Sequence, residues 1–356
     1  MSSVISFKCP CCGGYLDFEP DGQKFRCQYC GQLLSEEDLR DQSRQREEAA
    51  EEKQAEAAAY GENSAQEGLR SYNCSMCGAE IVTDATTAAT RCYYCHSPVV
   101  LHDRLDDGFR PDGVIPFTMN KEQARQQFMN FIKRKKFVDQ RFFDEAQLEM
   151  FSGVYYPYWY FDVEGEATFN GEGTRRSVAT TTTNIVTTTR FFKVVRRAGM
   201  TFTNMFRKAL TKLDGQLSDG IHPFQPQDVK PYASGYLSGF LAETRDVEAQ
   251  ALQGEVLQEA TRYAENLIKS GTSFNTLSGK ASFTQSSIKS RYVLLPVWVL
   301  TWKAGAQGAP YYYLMNGQTG KVCGKLPVNK GKLLSFALGV GLVVFALLCA
   351  GGKFIW

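Results

Sequence analysis

Eight of the chain's eleven cysteines stand in four Cys-x-x-Cys pairs, and the pairs form two sets with the same internal spacing. Cys9, Cys12, Cys27 and Cys30 reappear 65 residues later as Cys74, Cys77, Cys92 and Cys95, with fourteen residues between the pairs in both copies. Arg26 and Arg91 precede the third cysteine of each set, and Gly13 and Gly78 follow the second. Thiols two residues apart suit one metal ion better than a disulfide. Four such thiolates can close a tetrahedron, so the spacing predicts two zinc ribbons, each a short β hairpin with two knuckles, and two structural Zn2+ ions. Metal-binding thiolates must stay reduced, which points to the cytoplasm. Neither ribbon has enough apolar residues for a core of its own. Metal binding is therefore expected to supply most of its folding free energy, about 10–16 kcal/mol in comparable zinc peptides.

Cys11, inside CPCCGG, reads as a spacer thiol, because pairing Cys9 with Cys12 preserves both the spacing and the repeat; the alternative is a substitute ligand. His96 follows Cys95 and reads as a surface residue rather than a fifth ligand, and Cys323 and Cys349 read as small hydrophobes. A closed four-thiolate site leaves no position for an activated water. The three histidines, His96, His102 and His222, form no HExxH pattern. Gly279-Lys280, Gly320-Lys321 and Gly331-Lys332 are followed by Ala, Val and Leu, not by the Ser or Thr of a phosphate loop. Asp162, Glu164 and Glu166 read as solvated strand residues. No catalytic or cofactor-binding residue is assigned, and the expectation is a protein that is not an enzyme.

Leu333 to Gly352 carries no charge over 20 residues. As a helix it would span about 30 Å, the hydrocarbon thickness of a bilayer. Lys321, Lys325, Lys330 and Lys332 precede it and only Lys353 follows, so the positive-inside bias predicts a single-pass inner-membrane protein with its N-terminal bulk in the cytoplasm and Trp356 as a far-side anchor. The whole chain, with 40 basic and 38 acidic side chains, has a formal charge of only +2, so no global field favours nucleic acid.

Between these ends the reading is α+β. Zinc ribbon 1 (1–34) is joined by a charged helical linker (35–70), with a Ser35/Asp38 capping box, to zinc ribbon 2 (71–102). An α+β cytoplasmic domain (103–330) then leads to the transmembrane helix (333–352). A helix opened by Asn120 should bury Ala124, Phe128, Phe131 and Ile132, and the Lys133–Lys136 run closes it. That run is read as complementing the helix dipole, with a nucleic-acid or lipid contact as the alternative. Residues 153–206, including the Thr180–Thr189 stretch, read as strands. Pro157 and Trp159 match Pro296 and Trp298, marking a candidate duplicated β unit. A helix from about Asp246 to Lys269 should use Val247, Ala251, Ala260, Tyr263, Leu267 and Ile268 as core contacts, and Asn316-Gly317 should form a hairpin turn.

Taken with GVYYPYWYFD, KPYASGYLSGFLAE and the terminal apolar run, the ribbons resemble a family of bacterial membrane proteins, the TFIIB-type zinc-ribbon proteins, often mislabelled as primosomal or replication helicase relatives. The resemblance covers most of the chain. It implies a membrane-anchored cytoplasmic adaptor associated with SPFH (flotillin/stomatin-like) and phage-shock-protein-A-like partners in envelope maintenance. The competing expectation is a nucleic-acid-binding module, in which Arg26 and Arg91, with Tyr29, Tyr93 and Tyr94, contact phosphates and bases.

Overall fold

Aromatic and β-branched residues in long alternating runs favour extended chain over helix, and three such runs dominate this molecule. The structure, a computed structural model, describes residues 4–5, 7–39, 69–74, 77, 79–84, 86–92, 97–101, 110–138, 151–180, 182–211, 215–303, 310–324 and 328–352. The first cysteine module contains strands β1 (Val4–Ile5), β2 (Leu16–Glu19), β3 (Lys24–Cys27) and β4 (Leu33–Leu34). The second contains β5 (Leu69–Asn73), β6 (Glu80–Asp84), β7 (Thr87–Arg91) and β8 (Pro98–Leu101). The Ser35/Asp38 capping box forms: the Ser35 amide donates to Asp38 at 2.8 Å and the Asp38 amide donates back to the Ser35 hydroxyl at 3.3 Å. A helical turn follows at 36–39, and the rest of the expected linker helix lies outside the described residues.

The body begins with β9 (Gly113–Val114) and helix α1 (Lys121–Lys133), continues through β10 (Ser152–Thr180), β11 (Ile185–Lys208), β12 (Lys230–Pro231) and β13 (Leu241–Glu243), then helix α2 (Ala249–Lys269), β14 (Thr276–Lys303), β15 (Pro310–Asn316) and β16 (Val322–Gly324). It ends in helix α3 (Lys330–Gly352). The fold is α+β with a mixed sheet of eleven strands. Strand β10 is its axis: 29 residues, roughly 95 Å at about 3.3 Å each. It pairs antiparallel with β14 from Ser152 to Thr174 and with β11 from Tyr158 to Thr180.

The two Pro-x-Trp segments are thereby each other's partners. Tyr155 stands opposite Pro296, and Pro157 opposite Leu294. The Thr-rich stretch is not one strand, because β10 ends at Thr180 and β11 starts at Ile185, so the stretch straddles the hairpin tip. Beyond Thr174 the hairpin runs past the first residue of β14 as a two-stranded, solvent-exposed arm.

Helix α1 has the face expected, with Ala124, Phe128 and Ile132 buried and Asn120 and Gln123 forming a reciprocal capping box. Helix α2 corrects the expectation. It starts at Ala249, because the Asp246 carboxylate accepts bonds from the Thr211 amide and hydroxyl instead of entering the helix. Its buried stripe is Ala249, Val256, Ala260, Ala264 and Ile268, whereas Ala251, Tyr263 and Leu267 are exposed. Small alanines let the helix lie close on the sheet formed by β10, β11 and β14, over Ala167, Phe169 and Val194. The turn after β15 also differs. It is closed by the Gly320 amide donating to the Asn316 carbonyl at 2.9 Å, with the left-handed residue at Gly320 (φ +73) rather than at Asn316 or Gly317. The Asn316 side chain accepts from the Gln318 and Thr319 amides, both at 2.9 Å.

Helix α3 is apolar and leaves the body: over Lys330–Cys349 its mean hydropathy is 2.3 and none of it is buried against the rest of the chain. It is the one helix among the described residues long and apolar enough to cross a membrane.

Candidate metal centres

The leading cysteine of each Cys-x-x-Cys pair is anchored by the same backbone bond. The amide of the leading cysteine donates to the carbonyl five residues on: Cys9 to Gly14 at 2.6 Å, Cys27 to Gln32 at 2.9 Å, Cys74 to Ala79 at 2.8 Å and Cys92 to Ser97 at 2.9 Å. In the first module Gly13 and Gly31 donate back to the Cys9 and Cys27 carbonyls at 2.9 and 3.0 Å, and both adopt φ +74. That left-handed turn is why glycine follows the pair.

In each turn whose cysteines are described, the leading one is buried and the trailing one exposed, as in Cys9, Cys27, Cys74 and Cys92 against Cys12, Cys30 and Cys77. The Sγ atoms of Cys9, Cys12, Cys27 and Cys30 all lie within 4.8 Å of one another, and so do those of Cys74, Cys77 and Cys92. Cys95 lies outside the described residues, with Tyr93, Tyr94 and His96. The Cys9–Cys30, Cys12–Cys27 and Cys77–Cys92 sulfur separations are 3.6, 3.4 and 3.7 Å. A disulfide needs about 2.05 Å. A tetrahedral thiolate cage with bonds near 2.3 Å has edges of about 3.8 Å, which these distances approach, so both clusters fit a metal ion.

The electrostatics agree. Burial alone would raise the Cys27 thiol, but the amides of Cys30 and Tyr29 and the thiols of Cys12 and Cys30 bring it down to about 7. The Gln32 amide pulls Cys30 down, yet the adjoining Cys12, desolvation, Cys27 and Cys9 push it up to about 12. Four sulfurs this close resist ionising together unless a cation lies among them. Cys11 is exposed and outside the cluster, as a spacer should be.

The first module has no core of its own, as expected, and shares that of the body. The second differs from the expectation, with Tyr72, Cys74, Ile81, Cys92, Val99 and Leu101 packed as a small cluster of their own. In the first, Leu16, Phe18, Phe25, Cys9 and Cys27 belong to the main hydrophobic core. Their partners come from the KPYASGYLSGFLAE segment: the Tyr236 ring lies 5.2 Å from Phe18 and 6.2 Å from Phe25. The Phe18 amide donates to the Ser238 carbonyl at 3.0 Å, and the Ser238 hydroxyl donates to the Leu16 carbonyl at 2.5 Å. Three residues on, β13 pairs antiparallel with β7 of the second module and parallel with β10. One loop thus seats both modules on the sheet. Sequence reasoning singled the segment out only by resemblance; its small residues and spaced aromatics were the available signal.

The two repeat-matched arginines are held by carboxylates, Arg26 by Glu19 at 2.9 Å and Arg91 by Asp17 at 3.2 Å. Tyr29 is exposed, its ring edge-on to Tyr15. Asp162 pairs with Arg291 at 3.5 Å and accepts from the Asn204 amide at 2.8 Å, a structural role at the β-bulge between β10 and β11.

Across almost its whole length the chain is similar to the uncharacterized protein YdjG of Bacillus subtilis (strain 168): 30% identity over 359 residues, covering 99% of this chain and 96% of the relative. No protein-family profile and no solved structure matches it.

Proposed function

The chain belongs to the family of Bacillus subtilis YdjG, and we propose that it is a non-catalytic, membrane-anchored zinc-ribbon adaptor that recruits protein partners at the cytoplasmic face of the inner membrane. Two structural zinc ions are its cofactors, held by Cys9, Cys12, Cys27 and Cys30 and by Cys74, Cys77, Cys92 and Cys95. Zinc supplies no chemistry here beyond neutralising and cross-linking thiolates, which holds each knuckle pair rigid. SPFH and phage-shock-protein-A-like proteins are the partner classes the family resemblance suggests.

The observation that carries the reading is the pairing of a closed thiolate cluster, buried on its leading cysteines, with an apolar helix of which nothing is buried in the rest of the chain. A closed cage offers a surface rather than a reaction centre, and the unsheathed helix α3 calls for a bilayer. The nucleic-acid alternative is weakened because Arg26 and Arg91 are spent on carboxylates.

The test is affinity purification of the full chain from detergent extract, with Cys27→Ser and Cys92→Ser in parallel. An adaptor captures a defined protein partner that either variant loses. Steeply salt-dependent binding of an oligonucleotide by the full chain, with no protein captured, would replace this reading by the nucleic-acid one.

A further inference from the structure

We propose that Lys133, Arg134, Lys135 and Lys136, with Lys330 and Lys332, form a basic collar at the foot of α3 that binds anionic phospholipid headgroups. The proposal rests on the membrane reading of α3. The two groups of cations lie almost 200 residues apart in the chain, and the fold brings them together. The Asn329 amide donates to the Phe137 carbonyl at 2.8 Å, and Val138 and Val328 form an antiparallel bridge. The Phe137 ring packs 5.2 Å from that of Phe336, inside the apolar helix. Phe336 lies about 9 Å along the axis from Lys330 at 1.5 Å per residue. The chain that follows Lys136 is therefore stapled to α3 where its apolar surface begins.

Complementing the dipole of α1 does not account for the run. Only Lys133 lies in the last turn; Arg134 is the C-cap, and Lys135 and Lys136 are beyond it. All six side chains are exposed, and among the described residues none makes an ion pair. Lys135 has only the Phe131 ring, 4.9 Å from its ammonium. Neither 131–138 nor 321–356 contains an acidic residue. Unpaired cations beside the base of a membrane helix sit within about a Debye length, ~10 Å, of the headgroup layer. A bilayer surface bearing negative phosphodiesters is the counter-charge that this position meets.

The experiment uses the full chain, mixed in mild detergent with equimolar phosphatidylglycerol and phosphatidylcholine, repurified, and assayed for retained phospholipid by mass spectrometry. Wild type should retain phosphatidylglycerol over phosphatidylcholine by about five-fold, the factor one such cation contributes near a charged surface. The quadruple variant K133Q/R134Q/K135Q/K136Q should fall towards parity, and K133R/R134K/K135R/K136R, which keeps the charge, should hold the preference. Parity in wild type, or an unchanged preference in the glutamine variant, overturns the proposal. Loss of the preference when duplex DNA is added at equal phosphate also overturns it, by assigning the cations to nucleic acid. Unchanged metal content shows that the glutamine variant is folded. Alkaline carbonate washing of membranes separates the two readings. If wild type is washed off, α3 is not an anchor; if wild type and the glutamine variant both stay while only the lipid preference fails, the collar alone is wrong.

Discussion

Arg91 reaches from the second cysteine module to Asp17 of the first, with Nη2 3.2 Å from Oδ2, and donates a second bond of 3.1 Å to the Gly239 carbonyl. Its counterpart in the repeat, Arg26, stays within its own hairpin on Glu19. Matching residues of the two copies therefore do different jobs, one bracing a hairpin and the other tying the modules and the connecting loop together. The Asp17–Arg91 pair is partly exposed, so its coupling should be modest. A double-mutant cycle with Asp17→Asn and Arg91→Ala, read by urea unfolding of metal-loaded protein in detergent, should give about 1 kcal/mol. A coupling near zero would show that the contact is not made.

Reduced, purified protein should carry two metal ions per chain, and Cys27→Ser should carry one. The first cluster shares its core with Phe18 and Phe25, and Phe18 adjoins Phe240, whose ring is 6.0 Å from that of Trp298. Chelation should therefore alter tryptophan fluorescence as well as metal content. Emission indifferent to complete metal removal would contradict this docking.

Tyr236 is the principal seat of the first module. Tyr236→Ala removes a buried ring and should cost about 3–5 kcal/mol, with faster loss of metal to a chelator from that module. Tyr236→Phe loses only the hydroxyl that donates to Glu36 at 2.6 Å, and should cost about 1 kcal/mol. Equal effects of the two substitutions would mean that the hydroxyl, not the ring, does the seating.

His222 is buried, stacked 3.6 Å from Phe206, and held down to about 4 by burial and then by the charge of Lys321. The folded state holds it neutral, while the unfolded chain protonates it near 6.5. This contribution to stability is thus complete above pH 6.5 and is lost as pH falls from 6.5 towards 4, by about 3 kcal/mol in all. His222→Phe should lack that slope, so the difference in unfolding free energy between the two proteins should change by that amount between about pH 6.5 and 4, whereas acid release of metal affects both alike. A difference independent of pH over that range would refute the burial of a neutral imidazole.

For α3, Leu342→Arg places a charge near the middle of the apolar run, at an insertion cost of about 2.5–3.5 kcal/mol. The variant should shift from the carbonate-resistant membrane fraction to the soluble or degraded one. Retention equal to wild type would mean that the helix does not cross a bilayer.

The cysteine sets, the capping box at Ser35, the helix start at Asn120, the buried face of α1 and the apolar run of α3 were legible in the linear chain. The cysteine sets rest on repeated spacing and thiol chemistry, and the others on residues a few positions apart, where spacing alone determines what can meet. Pairing of β10 with β14, the seating of both modules by residues 234–243 and the rest of the buried face of α2 beyond Ala260 and Ile268 were not. Those depend on which surface arrives opposite from far along the chain: Ala260 and Ile268 are buried as their spacing suggested, but the sheet beneath α2 takes Ala249, Val256 and Ala264 in place of Ala251, Tyr263 and Leu267. Spacing brought the thiols together; long-range packing chose what the modules lean on, because aromatic side chains such as Phe18 and Phe25 carry no record of the distant ring that will cover them.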